Sequence, residues 1–274
     1  MGHQFTVCMV VTRNDAAEHF NVALLSLVCQ SMKPSEVLIV DNGGLTDRHY
    51  EIIANIGDEL SIRLLRIAHL SSVGQARNIA LHAARYQVIA VADPDDINEP
   101  DRFIKLIPEL NDSVRMVGAW VREFSREKND RGIVRRVPCE FVDIIRYSRF
   151  RSPVNNPTIC YFKNDALSVG GYNTSLHFGE DYDLVTRFIR NGKIIRNIPI
   201  VMVNFRIGDA KKLYKKRGGL FLLKQEINLH RRFLENRYIS LLDFFMIVTI
   251  KILVRLLPCW LFNVFYFKVL RKHE

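Results

Sequence analysis

The sequence predicts an α/β fold: a mostly parallel central sheet with flanking helices, followed by a helical tail. Three observations carry this. Near-continuous apolar runs rich in Val, Ile and Leu recur over the first hundred residues, segments with helical apolar spacing separate them, and polar or acidic residues stand where the runs end. Strands that are apolar throughout belong to sheets covered on both faces, and strand–helix alternation makes such sheets parallel. At 274 residues and 48% hydrophobic content the chain can bury a sizeable core.

The elements follow in order. TVCMVVT (6–12) is the first strand, and Thr12, Arg13 and Asn14 come after it. Apolar spacing around HFNVALLSLVCQ (19–30) predicts a helix. EVLIVDNGG (36–44) is the second strand and leads to Asp41. Gly43 and Gly44 either let a backbone approach a ligand or form a plain turn. A helix from Asp47 to Ile56, with Thr46 or Asp47 as cap, precedes a third strand, SIRLLRI (61–67). A capped helix over SSVGQARNIALHAA (71–84) and a fourth strand in YQVIAVADPDD (86–96) complete the series. Open α/β sheets bind ligands beyond the carboxyl ends of their strands. Thr12, Asn14, Asp41 and the Asp93/Asp95/Asp96 group all fall there.

Three carboxylates within four residues raise one another's pKa unless a cation offsets them. Mg²⁺ or Mn²⁺ prefers such oxygen ligands and accepts diphosphate oxygens as well. An ordinary acidic turn accounts for the same residues, since Asp and Pro are turn formers. No GxxxxGK[ST] loop is present and no GxGxxG follows the first strand, so P-loop and dinucleotide enzymes lose support. Further on, Gly179–Glu180–Asp181 open a helix that stops at Asn191–Gly192. Acids are favoured at a helix N-terminus in any case. A catalytic Asp181 must face the acidic group across a cleft. Arg146, Arg149 and Arg151 suit an acceptor phosphate, a bilayer surface or plain solvent. Asn155, Asn156 and Thr158 suit sugar hydroxyls, and Trp120 suits either a sugar stack or the core.

Together these segments resemble the family-2 inverting nucleotide-diphospho-sugar glycosyltransferases with the GT-A fold, over residues from about 5 to 205. TRND carries the family's Asn as Asn14, with Arg13 in place of an aromatic. VDNGGLTD carries its first Asp as Asp41, which the resemblance assigns to the nucleotide base; Asn42 replaces the second acid. VGQARNIAL supplies Gly74, Arg77 and Asn78. Asp93–Pro94–Asp95–Asp96 matches the DxDD segment, so the resemblance implies that Asp93 and Asp95 hold ribose, diphosphate and Mn²⁺ or Mg²⁺. HFGEDYDLVTR carries the "ED" pair, whose aspartate, Asp181, is implied as the catalytic base. The resemblance places Asn14, Asp41, Arg77, Asp93 and Asp95 around a nucleotide-diphospho-sugar, with UDP favoured, and Thr12 and Gly43 join them by their strand-end positions. NFRIGD departs from the family: Arg206 matches, but Gly208 stands where histidine is frequent.

The formal charge of +10 lies in the last quarter, where residues 211–274 hold 14 Lys or Arg against 4 acids. Residues 1–210 are neutral. Catalytic residues 1–210 (donor half about 1–100, acceptor half about 101–210) and a tail over 211–274 are therefore expected. The tail's apolar runs are broken by Asp243, Lys251 and Arg255, so each is shorter than the roughly twenty residues of a span. These three charges share one helical stripe. The expectation is amphipathic helices in the membrane interface, with Trp260, Tyr266 and Phe267 at headgroup depth. A lid on the catalytic domain and a homodimer surface are the competing readings. The resemblance implies a peripheral protein of the cytoplasmic face of the inner membrane, acting on lipid-linked saccharides of surface polysaccharide or O-antigen. A neutral body argues against a nucleic-acid partner. A silent membrane-bound scaffold and a sugar nucleotidyltransferase are the alternatives. Five scattered cysteines without CxxC spacing suit neither a disulfide scaffold nor a cysteine zinc site.

Overall fold

The computed structural model describes residues 4–208, 219–258 and 261. Its elements are β1 (Phe5–Val11), α1 (Ala17–Val28), β2 (Glu36–Asn42), α2 (Asp47–Ile56), β3 (Ile62–Ile67), α3 (Val73–Ala83), β4 (Val88–Ala92), β5 (Ile97–Asn98) and α4 (Arg102–Leu106). There follow β6 (Val114–Phe124), β7 (Ile133–Arg135), α5 (Phe141–Tyr147), β8 (Cys160–Phe162), α6 (Lys163–Ser168), α7 (Glu180–Arg190) and β9 (Ile194–Arg206). Two helices complete the described chain, α8 (Gly219–Glu235) and α9 (Leu241–Arg255).

The strands form one sheet in the order β3-β2-β1-β4-β8-β6-β9-β5, with β7 on β6. The first four run parallel. The expectation of a mostly parallel sheet fails beyond them: β8 is antiparallel to both β4 and β6, and β5 is antiparallel to β9. The sheet is therefore mixed. Short β8 follows α5 and enters the sheet through a 3₁₀ turn at Asn156–Thr158.

Alternating side chains supply two cores. One face packs Val7, Met9 and Ile39 against α1, α2 and α4; the other packs Leu38, Val40 and Val91 against α3 and α7. The chain leaves β1 and β4 toward opposite sides, so the carboxyl-end crevice between these two strands is the topological switch point. A capping box fixes the start of α3: Ser72 Oγ accepts from the Gln75 N–H, and Gln75 accepts from the Ser72 N–H.

The tail helices pack on the body. Leu229 and Phe233 of α8 and Ile247 of α9 close a third apolar cluster with Leu176 and Tyr182. The expected polar stripe is inverted. Lys251 and Arg255 turn inward onto Glu226, whereas Leu242, Phe245 and Leu253 are 78%, 59% and 65% exposed. Among the described residues no helix is long and apolar enough to cross a membrane. The basic run 211–218 and Trp260, Tyr266 and Phe267 lie outside the described residues.

Candidate active site

The turn after β1 is closed by Asp15, whose Oδ2 accepts from the Thr12 N–H at 2.7 Å and the Thr12 hydroxyl at 2.9 Å. Thr12 from β1's end and Asp93 from β4's end line a cavity of about 320 Å³ at the switch point, with Arg77 and Tyr172 opposite. A second cavity, of about 440 Å³, shares Arg77 and Asp93 with the first and extends to Glu180, Asp181 and the tail helices. Asp181 and Asp93 thus face the same space.

Arg77 is the link between them. Its guanidinium lies 2.7 Å from Glu180 Oε1 and 3.5 Å from Asp93 Oδ1. Burial opposes its charge, but Glu180 and Asp93 more than compensate and raise its pKa. Asn78, one residue on, donates from Nδ2 to the Tyr172 carbonyl and accepts from the Tyr172 N–H, each at 2.7 Å. Gly171, at φ +65°, leaves room for this clamp; a Cβ there would lie 2.5 Å from Asn78 Oδ1. The Arg–Asn pair of α3 therefore holds the strand-end acids and the start of α7 in register.

The acids are under electrostatic pressure. Burial pushes the Asp93 carboxyl up, against Arg77, and Asp95 and Asp181 push it further. Burial and Asp181 raise Glu180, again against Arg77. Asp96 sits well above the usual carboxylate range through burial, Asp95 and Asp93. Its Oδ1 accepts from the Arg206 N–H at 2.8 Å, while its buried Oδ2 has no hydrogen-bond partner. Asp95 lines a neighbouring space of about 590 Å³ with Asn14, Arg206 and Gly208, and Asp15 borders both this space and the switch-point cavity. Among the described residues no three His, Cys, Asp or Glu side chains form a ready-made metal cage. Two carboxylates beside open space do fit a hard divalent cation that draws its other ligands from water and substrate phosphate.

Other expected residues have structural duties. Asp41 is 1% exposed, and its oxygens accept from the Gly44 N–H at 2.8 Å and the Tyr50 hydroxyl at 2.7 Å. It lines none of these three cavities. Gly43, at φ +94°, lies against Leu70; a Cβ would be 3.0 Å from that backbone. Asn42 accepts from the Ser71 N–H and hydroxyl and donates to the Ser71 carbonyl, a donation no carboxylate makes when ionised. Asn155 and Thr158 line none of these three cavities. Both are buried and bond to the Ala119 backbone, because the turn before β8 needs its polar groups satisfied. Asn156 does line the second cavity, and its Oδ1 is buried without a partner. Trp120 donates to the Val137 carbonyl at 3.0 Å and lines a separate surface hollow. Of the three arginines, Arg151 lines the second cavity, and exposed Arg146 pairs with Asp143 at 3.6 Å.

Sequence reasoning missed Glu226, His230, Lys251 and Arg255 as walls of the second cavity. The i, i+4 spacing of Ile247, Lys251 and Arg255 was a usable signal. It marks one helix face, and buried Ile247 makes that face the inward one.

A GT-A-like sheet with strand-end acids facing an acidic helix start defines the class: enzymes that handle nucleotide-sugars. Comparison with known proteins gives the family. The model for glycosyl transferase family 2 matches residues 7–171. A β-1,3-galactosyltransferase of Escherichia coli, described as UDP-Gal:alpha-D-GlcNAc-diphosphoundecaprenol beta-1,3-galactosyltransferase, is 32% identical over 98% of this chain and 97% of its own. The amylovoran biosynthesis glycosyltransferase AmsE of Erwinia amylovora is 27% identical over 96% and 98%. Among solved structures, the mannosyltransferase PcManGT of Pyrobaculum calidifontis, in complex with GDP-Man and Mn²⁺, has TM-score 0.65 at 16% identity, covering 95% of this chain and 72% of that one. S. aureus TarS 1-349 in complex with UDP-GlcNAc has TM-score 0.61 at 17% identity, covering 97% and 73%. The chain belongs to glycosyl transferase family 2 and is an inverting glycosyltransferase.

Proposed function

We propose that the protein moves a sugar from a nucleotide-diphospho-sugar, with UDP as nucleotide, to a hydroxyl of a polyprenyl-diphosphate-linked saccharide, in surface polysaccharide or O-antigen assembly. The observation that carries this reading is Arg77, bound to both Asp93 and Glu180, with Asp93 and Asp181 along one cavity. The described function of the Escherichia coli relative supports the choice of donor and acceptor.

In this reading residues from about 1–100 bind the donor and 101–210 the acceptor, with 211–274 as the membrane-facing tail. Thr12, Asn14, Asp41 and Gly43 belong to the nucleotide side, and Asp41 reaches the base by exchanging its Tyr50 or Gly44 bond. Asp93 and Asp95 are the residues that would hold Mn²⁺ or Mg²⁺. Such an ion offsets negative charge on the leaving diphosphate. Arg77 keeps Asp93 oriented and supplies fixed positive charge beside it. Asp181 takes the proton of the acceptor hydroxyl as that oxygen attacks the anomeric carbon from the face opposite the diphosphate. One displacement then inverts the centre. The outward apolar face of α9 supports docking on the cytoplasmic leaflet, which brings the cavity to a lipid-bound acceptor.

The test is Asp181→Asn, with donor binding and transfer measured on the same sample. Donor affinity is expected within about threefold of the original, and transfer is expected to fall by about 10²–10⁴-fold, the usual range for a general base. Parallel loss of both would reject Asp181 as base. Nucleotide binding without turnover by the unmodified protein would favour a silent scaffold.

A further inference from the structure

We propose that Lys251, Arg255 and Arg151 form a phosphate subsite at the tail end of the acceptor cavity, which binds the diphosphate joining the acceptor saccharide to its lipid. This rests on the reading of the acceptor given above and adds the residues that recognise its charged part.

The placement of the two tail cations carries the inference. On a helix whose exposed side is apolar, Lys and Arg ordinarily snorkel outward to reach water or lipid headgroups. Here they point the other way, with side chains only 20% and 15% exposed, and line the cavity that contains Asp181. Glu226 of α8, with 4% of its side chain exposed, positions both. Its Oε1 lies 2.7 Å from Lys251 Nζ and 2.9 Å from Arg255 Nη2, and its Oε2 lies 2.8 Å from Arg255 Nε. His230 Nδ1 bonds the Glu226 carbonyl at 2.8 Å, which braces the same turn of α8.

Lys251 and Arg255 share the Glu226 carboxylate. Arg151 adds a third cation to the cavity; its guanidinium rests over the Tyr147 ring at 5.9 Å and has no carboxylate partner among the described residues. Cations gathered along one cavity wall repel one another, and an anion entering between them relieves that repulsion. Guanidinium and ammonium groups together suit phosphate oxygens. The geometry also orders the acceptor. Its hydroxyl meets Asp181 at one end, its phosphates meet the cations at the other, and the lipid continues along the apolar side of α9.

The test is calorimetric binding of dodecyl diphosphate to the full-length protein, with UDP and Mn²⁺ saturating so that the donor side is filled. Dodecyl maltoside serves as the uncharged control. Arg151→Gln, at an exposed position, and Lys251→Met are each expected to weaken dodecyl diphosphate about tenfold or more, as loss of a charge-assisted contact does, with the control unchanged. Glu226→Gln is expected to tighten it, because the cations lose their internal counter-charge. A purely structural cluster predicts no tightening in Glu226→Gln and no effect in Arg151→Gln, and that pair of results would overturn the subsite. Flotation on phosphatidylglycerol vesicles separates the other phosphate source: if the variants lose flotation while dodecyl diphosphate binding stays constant, the cations read headgroups and the proposal fails. Binding does not require turnover, so loss of the transferase reading leaves this result interpretable.

Discussion

At the scale of single residues, Arg77 is the position on which the site depends. It is the counter-ion of two half-buried carboxylates in different parts of the chain. Removing one partner of a buried ion pair leaves uncompensated charge and costs about 3–5 kcal/mol. Arg77→Ala is therefore expected to lower unfolding stability, by less than that full amount because both acids are part exposed, read in urea melts, and to abolish transfer. Arg77→Lys keeps the charge but not the fork that reaches both acids, so it should restore most of the stability and little of the activity. Equal recovery of both would mean that charge alone matters there. Much of this site was legible in the chain: strand-end acids and the Glu180–Asp181 helix start stand out from patterning and position. The pairing of Arg77 with Glu180 was not, because it joins residues 103 positions apart in sequence. Asn155 and Thr158, which bond the Ala119 backbone, were ambiguous for a related reason. A polar residue near a turn reads alike whether it faces a ligand or satisfies a buried backbone carbonyl.

At the scale of elements, the α8–α9 pair carries a pH signature. His230 is 1% exposed, and burial, with Lys251 beside it, depresses its pKa to about 4. Above pH 6.5 the folded and unfolded forms both hold it neutral and it is indifferent to pH. Below that, the unfolded chain takes up a proton that the folded protein refuses, so stability falls as pH drops from 6.5 toward 4, by about 3 kcal/mol at most. Glu226 responds lower down: burial works against its charge, but Arg255 and Lys251 hold its pKa near 2, so its contribution is present above pH 4.5 and lost between 4.5 and 2. His230→Asn is expected to flatten the pH 6.5 to 4 part of the stability profile and leave the lower part in place; an unchanged slope would show that His230 is not buried neutral. Strand and helix positions of the first hundred residues follow from apolar periodicity, since α2 and the capped start of α3 lie where the pattern puts them. The antiparallel insertion of β8 does not follow, because three residues are too few to show which way a strand runs.

At the scale of the whole molecule, the protein joins a neutral catalytic sheet to a helical pair that is greasy outside and charged inside. The tail's sequence revealed its amphipathic character but left the direction of each face undetermined, because direction depends on Glu226, a single acid of α8. Leu242→Glu combined with Leu253→Glu is expected to release the protein from anionic vesicles in flotation while transfer to a water-soluble acceptor persists. Retained flotation would assign the apolar face to a second copy or another protein. The central claim is that Asp93, Asp95 and Asp181 act on one donor that spans adjoining cavities. The most direct measurement is a crystal structure of Asp181→Asn with UDP-sugar and Mn²⁺. The account predicts the ion on Asp93 and Asp95, the diphosphate beside Arg77, and the anomeric carbon open to residue 181. A donor lodged only among Asn14, Arg206 and Gly208, with the sugar turned away from residue 181, would contradict it.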